Sequence, residues 1–124
     1  MKIEDHIKYW LDSADNDLDA AKSLFLSEKY DWCLFIGHLV LEKILKAFYV
    51  LNNKNEIPPK THNLLKIAEA VDINLSKEQI VFLDEINDFN LEVRYPEPLL
   101  YTPDDFSKND PFVKKILQTG VKII

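Results

Sequence analysis

Apolar residues recur along the first part of the chain at steps of three and four: Ile3, Ile7, Trp10, Leu11, Ala14, Leu18, Ala21 and Phe25. That spacing predicts an amphipathic helix over about residues 4 to 27, with Asp12, Asp15 and Asp19 on its outer side. After a turn around Ser27 to Tyr30, Asp31 stands where a helix N-cap belongs. The stretch that follows, to about Leu51, is apolar on most sides, with Trp32, Leu34, Phe35, Ile36, Leu39, Val40, Leu41, Ile44, Leu45, Phe48 and Tyr49. A helix apolar nearly all round belongs at the centre of a bundle, covered by several neighbours or by a second subunit.

Asn52 to Thr61 contains Asn52-Asn53 and Pro58-Pro59 and reads as a loop. A short helix is predicted from His62 or Asn63 to Ala70, with Thr61 or Asn63 suited to cap it. Ser76, with Gln79 three residues later, forms a capping box for a fourth helix, whose stripe is Ile80, Leu83, Ile86, Phe89 or Asn90, and Val93. Arg94-Tyr95-Pro96 ends it, because proline disfavours the helical conformation of the residue before it. Thr102-Pro103 and Asp110-Pro111 mark further helix starts, the last running to about Ile124. Strand alternation and internal repeats are absent from the sequence. The expected fold is all-α, a four- to five-helix up-and-down bundle forming one domain over residues 1–124. With antiparallel neighbours and short loops, the end of the second helix, the start of the third and the end of the fourth fall at one pole.

Composition excludes several classes. With two glycines among 124 residues, and neither G-x-G-x-x-G nor G-K-[ST], the chain lacks the usual nucleotide cradles. The N-terminus lacks the order of a signal peptide, and His38, Glu42, Lys43 and Lys46 interrupt the longest apolar run, which argues against a membrane span. One cysteine, Cys33, fits a reducing cytoplasm and reads as a small buried hydrophobe. The histidines and the cysteine match no zinc spacing, Glu-x-x-His pairs for a di-iron bundle are missing, and no cofactor is implied. The net charge of −6 argues against a broad nucleic-acid face. Residues 33–66, however, carry five lysines against two acids, a basic island suited to one focused anion pocket or to an ordinary mixed-charge surface.

Two constellations carry candidate chemistry. Arg94 is the one arginine beside fourteen lysines, and a guanidinium grips phosphate or carboxylate bidentately in a way an ammonium does not. The connectivity above puts it at the same pole as Lys46, Lys60, His62 and Tyr95, where the third helix's N-terminal amides face an anion. His38 is thirteen residues from Leu51, about 20 Å along a helix, and is expected to lie outside that cluster. His38, Glu42 and Lys46, four residues apart with Lys43 beside them, form a polar stripe on the apolar helix. It reads either as an acid-base or anion-binding face or as an internal polar network. His6 is expected to be solvated on the acidic first helix.

Taken in order, Tyr9-Trp10-Leu11, Tyr30-Asp31-Trp32, His38, Glu42-Lys43-Ile44-Leu45-Lys46-Ala47, Thr61-His62-Asn63-Leu64 and Arg94-Tyr95-Pro96 resemble the HEPN family of small helical domains. The resemblance covers nearly the whole chain. It implies an all-α bundle that forms a homodimer, frequently paired with a minimal nucleotidyltransferase partner in toxin-antitoxin systems, with nucleotide or RNA as ligand. Many members are metal-independent ribonucleases that use an arginine followed, after four to six residues, by a histidine. Here Leu99, Leu100 and Tyr101 hold those positions, so no histidine follows Arg94 at that spacing. Three functions are therefore expected: a phosphate-binding subunit using Lys46, Lys60, His62, Arg94 and Tyr95; a ribonuclease toxin in which Arg94 stabilises charge and His62 moves the proton; and a purely structural interaction module presenting Trp32, Phe35 and Leu39 to a partner.

Overall fold

The computed structural model describes residues 2–71 and 73–87. Among the described residues four helices follow one another: α1 (Ile3–Leu26), α2 (Tyr30–Asn52), α3 (Leu64–Val71) and α4 (Lys77–Asn87). Among the described residues no helix is long and apolar enough to cross a membrane. The expected helix starts at Thr102 and Asp110, and the residues Arg94 and Tyr95, lie outside the described residues.

The helix boundaries follow local chemistry. α1 begins one residue before the periodic stripe suggests and closes on Glu28, whose φ of 63° is left-handed. The Lys29 amide returns to the Leu24 carbonyl and the Glu28 amide to that of Phe25, so a Schellman turn forms without the glycine that usually serves it. Asp31 is not the cap of α2: the helix already includes Tyr30, its N-cap is Lys29, and Asp31 sits in the first turn. There its negative charge faces the positive end of the helix dipole. At α3 the cap is Asn63, whose Oδ1 accepts from the amides of Leu65 and Lys66. At α4 the capping box forms in both directions: the Gln79 amide donates to Ser76 Oγ, and the Ser76 amide to Gln79 Oε1.

α2 is central, packed against α1, α3 and α4. Ala14 and Leu18 of α1 meet Val40 and Ile44 of α2 in one apolar cluster. A larger cluster joins Leu41 and Leu45 to Leu64, Ile67 and Val71 of α3 and to Phe82, Leu83 and Ile86 of α4. Burying side chains of this kind stabilises by about 1.5–3 kcal/mol each. α2 keeps some apolar surface in the open, notably Trp32, whose ring meets Phe35 edge-on at 6.0 Å.

The connection between α2 and α3 differs from a short reversal. The Asn52 side chain donates to the carbonyl of Val71, so the end of α3, not its start, sits beside the end of α2. His62, just before α3, instead reaches Glu42, ten residues back along α2 from Asn52. Residues 53–63 therefore form a strap that travels back about 15 Å along the bundle, and α3 then runs in the same general sense as α2. Pro58, buried inside this strap, has no amide to donate and so bars a helix there. α4 returns the other way, so that Asn87 ends beside Asn63 and Leu64.

Candidate functional site

The strap decides where the chemistry gathers. On α2 the four-residue spacing of His38, Glu42 and Lys46 puts all three along one line. That line faces inward, and all three residues are buried. A buried carboxylate needs partners to offset its desolvation, and Glu42 has them on both oxygens. Lys46 Nζ donates to Oε2 at 3.1 Å, and His62 Nδ1 lies 2.8 Å from Oε1. Lys46 also stands over the Trp10 ring, 5.3 Å from its centroid, so α1 contributes a cation–π contact to the ammonium.

His38 completes the group in an unusual way. Its Nδ1 is 4.0 Å from Glu42 Oε1, beyond hydrogen-bond reach. Both ring nitrogens are buried and have no hydrogen-bond partner among the described residues. The His62 backbone and the Asn87 side chain face the ring without meeting hydrogen-bond geometry. Burial holds the imidazole below its ordinary pKa, and the nearby Glu42 carboxylate opposes that shift only in part. His38 is therefore a neutral ring at neutral pH, beside a carboxylate already committed elsewhere.

A ring of amides fastens the strap to the helices. Asn63 Oδ1 accepts from Asn87 Nδ2 at 3.1 Å, and Asn87 Oδ1 accepts from the Leu64 amide at 2.9 Å. The Asn63 amide in turn donates to Thr61 Oγ1. His62 is thus held by its neighbours as well as by Glu42, and its side chain remains 43% exposed. Its ring is oriented by a buried carboxylate, the arrangement by which a carboxylate fixes an imidazole's orientation and tautomer.

The residues singled out in the sequence are distributed as follows. His62 and Lys46 meet through Glu42, so part of the anticipated pole exists, but Lys46 turns inward to the carboxylate. Lys60 is exposed on the strap two residues before His62. His38 joins the cluster despite the expected 20 Å separation, because the strap carries His62 back to it. Lys43 points away from Glu42 and pairs with Asp17 of α1 at 2.6 Å. His6 is half-buried rather than solvated, its Nδ1 2.9 Å from Asn55 Oδ1 at the far end of α2. Asn87 carried no signal in the sequence, since its role is to meet a residue 24 positions earlier.

Among the described residues no group of histidine, cysteine, aspartate and glutamate side chains is arranged to hold a metal ion. Around Glu42 the reason is visible: His38 stands off, and the Lys46 ammonium takes the second carboxylate oxygen.

The family model described as HEPN domain matches residues 7–124. No curated protein and no solved structure matches the chain.

Proposed function

The chain belongs to the HEPN family, and on that footing we propose that it is a nucleotide- or RNA-phosphate-binding subunit that works as a homodimer. The observation that carries this reading is the 2.8 Å contact between Glu42 Oε1 and His62 Nδ1, with the ring 43% exposed. A fixed, solvent-facing imidazole is a directional partner for a phosphate oxygen. Lys60 on the same strap adds an exposed positive charge, and Lys46 offsets Glu42 from behind. Arg94 and Tyr95 complete the site in this proposal, the arginine gripping phosphate and the tyrosine stacking on a base.

The exposed Trp32 edge of α2, with Phe35 and Leu39, supports a second copy or a minimal nucleotidyltransferase as partner in a toxin-antitoxin-like pair. Calorimetry with ATP, GTP and a short single-stranded RNA at low salt tests the binding. Heat of binding, weakened at least tenfold by His62→Ala and by Arg94→Ala, is the expected result. A flat titration, or affinity untouched by both substitutions, removes the reading and leaves the structural interaction module.

The same contact favours a second reading, a metal-independent ribonuclease. Glu42 would orient His62 while His62 takes the proton of a substrate hydroxyl, and Arg94 would stabilise charge on the phosphate. RNA cleavage in EDTA that vanishes in His62→Ala is what this reading requires. Intact RNA after incubation with the wild-type protein eliminates it.

A further inference from the structure

The strap runs into two residues that a single side chain of α4 holds at once. Asn87 Oδ1 accepts from the Leu64 amide at 2.9 Å, and Asn87 Nδ2 donates to Asn63 Oδ1 at 3.1 Å. Leu64 opens α3, and a first-turn amide has no acceptor within its own helix. Leu64 is also wholly buried, where an unmet amide is costly. α4 therefore supplies from outside an acceptor that α3 cannot supply itself.

Backbone donors fix the direction of this pair. Asn63 Oδ1 takes the amides of Leu65 and Lys66, so that end of the Asn63 side chain must be the oxygen. The Asn87 atom that meets it must then belong to the NH2 group, and the other end of Asn87, facing the Leu64 amide, must be oxygen. Asn87 thus uses a donor and an acceptor together, whereas Asn63 Oδ1 accepts in all three of its bonds. An aspartate can fill the second role and not the first.

His62 stands one residue before this clasp, and its Nδ1 lies 2.8 Å from Glu42 Oε1. A hydrogen bond of that length tolerates little displacement, because it weakens steeply as distance and angle leave their optimum. The backbone of His62 moves with Asn63 and Leu64. Where α4 holds those two residues therefore limits where the imidazole can stand. The same Asn87 side chain faces the His38 ring, so it lies against α2 as well.

We propose that Asn87 is a positioning residue for His62: its side-chain amide, donating to Asn63 and accepting from Leu64, sets the register of the strap in which His62 reaches Glu42. This deepens the phosphate-binding reading and rests on it only for the effect on a ligand, since the register exists without one.

The test is NMR of the His62 ring nitrogens in the ligand-free full chain at pH 8, compared among wild type, Asn87→Asp, Asn87→Leu and Asn63→Asp. In wild type the uncharged ring should carry its proton on Nδ1, facing Glu42, and not on Nε2 as a solvated imidazole prefers. Asn87→Asp keeps an acceptor for Leu64 and loses the donor to Asn63, so it should move the His62 signals towards the solvated pattern, as should Asn87→Leu. Asn63→Asp makes the same chemical change one partner over, keeps every acceptor, and should leave those signals in place. The ring of His6, bonded to Asn55 at the far end of α2, should not respond to any of the three. His62 signals that ignore Asn87→Asp, or that respond equally to Asn63→Asp, overturn the inference, because a helix cap alone needs only the oxygen of Asn87. If the Asn87 variants do not fold, wild type decides. A solvated pattern at His62, or Asn87 side-chain amide protons that exchange as fast as those of an exposed asparagine, overturns the inference, and slow exchange with the Nδ1 tautomer sustains it. Calorimetry with ATP at the same pH adds the ligand: affinity should fall about tenfold in Asn87→Asp, with no further loss when that change is added to His62→Ala. An equal loss in the His62→Ala background overturns the positioning role. Absent binding in wild type together with the expected ring signals removes the phosphate reading and keeps the positioning role.

Discussion

His62 Nδ1 lies 2.8 Å from Oε1 of Glu42, a residue twenty positions earlier in the chain and almost wholly buried. This contact ties an exposed strap to the central helix and links the surface chemistry of the domain to its core. Because Glu42 serves Lys46 as well, one carboxylate holds together α1, α2 and the approach to α3.

Removing that carboxylate alone should be costly. Glu42→Leu leaves the buried Lys46 ammonium without its counter-ion, and breaking a buried pair in this way costs about 3–5 kcal/mol. Glu42→Leu combined with Lys46→Met replaces the pair by apolar groups and should recover most of the loss. Urea unfolding of the wild type, the two single variants and the double variant measures the coupling. Additive losses in the double variant would show that the pair does not act as a unit.

Stability should fall on the acid side because of His38. Burial lowers its folded pKa below the ordinary value, so between that ordinary value, about 6.5, and the folded one the unfolded chain binds a proton that the folded chain does not. The contribution is fully present above about pH 6.5 and is lost as pH falls, at up to about 1.4 kcal/mol per pH unit, until the folded pKa is reached. The difference in unfolding free energy between wild type and His38→Gln, followed from pH 8 to pH 5, isolates this group from His6 and His62. A difference that stays constant with pH contradicts the assignment.

Caps of different reach should carry different costs. Asn63 Oδ1 accepts from two α3 amides and from Asn87, so Asn63→Ala removes a cap and the anchor that joins the strap to α4. Its expected cost is about 2 kcal/mol, at the upper end for a cap, against about 1 kcal/mol for Ser76→Ala, whose box is exposed and local. Thermal or urea unfolding ranks the two. Equal losses would mean that the Asn63–Asn87 bond adds nothing to the cap.

The thiol of Cys33 should be silent in the folded protein. It is fully buried, and burial pushes its pKa up to about 11. Against an ordinary cysteine of pKa near 8.5, its thiolate population at pH 8 is lower on the order of 100-fold, before any steric protection is counted. A colourimetric thiol reagent should therefore react with native protein at least that much more slowly than with urea-unfolded protein. Rapid labelling of the native chain would show that the start of α2 opens readily.

The sequence by itself determined the helices and much of their punctuation. The stripe from Ile7 to Phe25, the nearly continuous apolar face of α2 and the Ser76–Gln79 box are local patterns, and periodicity and capping act over a few residues. The motifs from Tyr9 to Arg94 also pointed to the HEPN family, to which the chain belongs. His38, Glu42 and Lys46 could be placed on one line for the same local reason. Tertiary structure alone decided which way that line faces and what meets it. The path of residues 53–63 depends on Pro58 being buried, on Asn52 meeting Val71 and on Asn63 meeting Asn87, and these contacts join positions 19 and 24 residues apart. A pattern of apolar spacing holds no information about such pairings, because their free energy exists only once the helices are packed. The strap's return brings His62 to Glu42 and leaves the His38 ring nitrogens without a hydrogen bond among the described residues, so a buried polar stripe and an exposed histidine became one cluster.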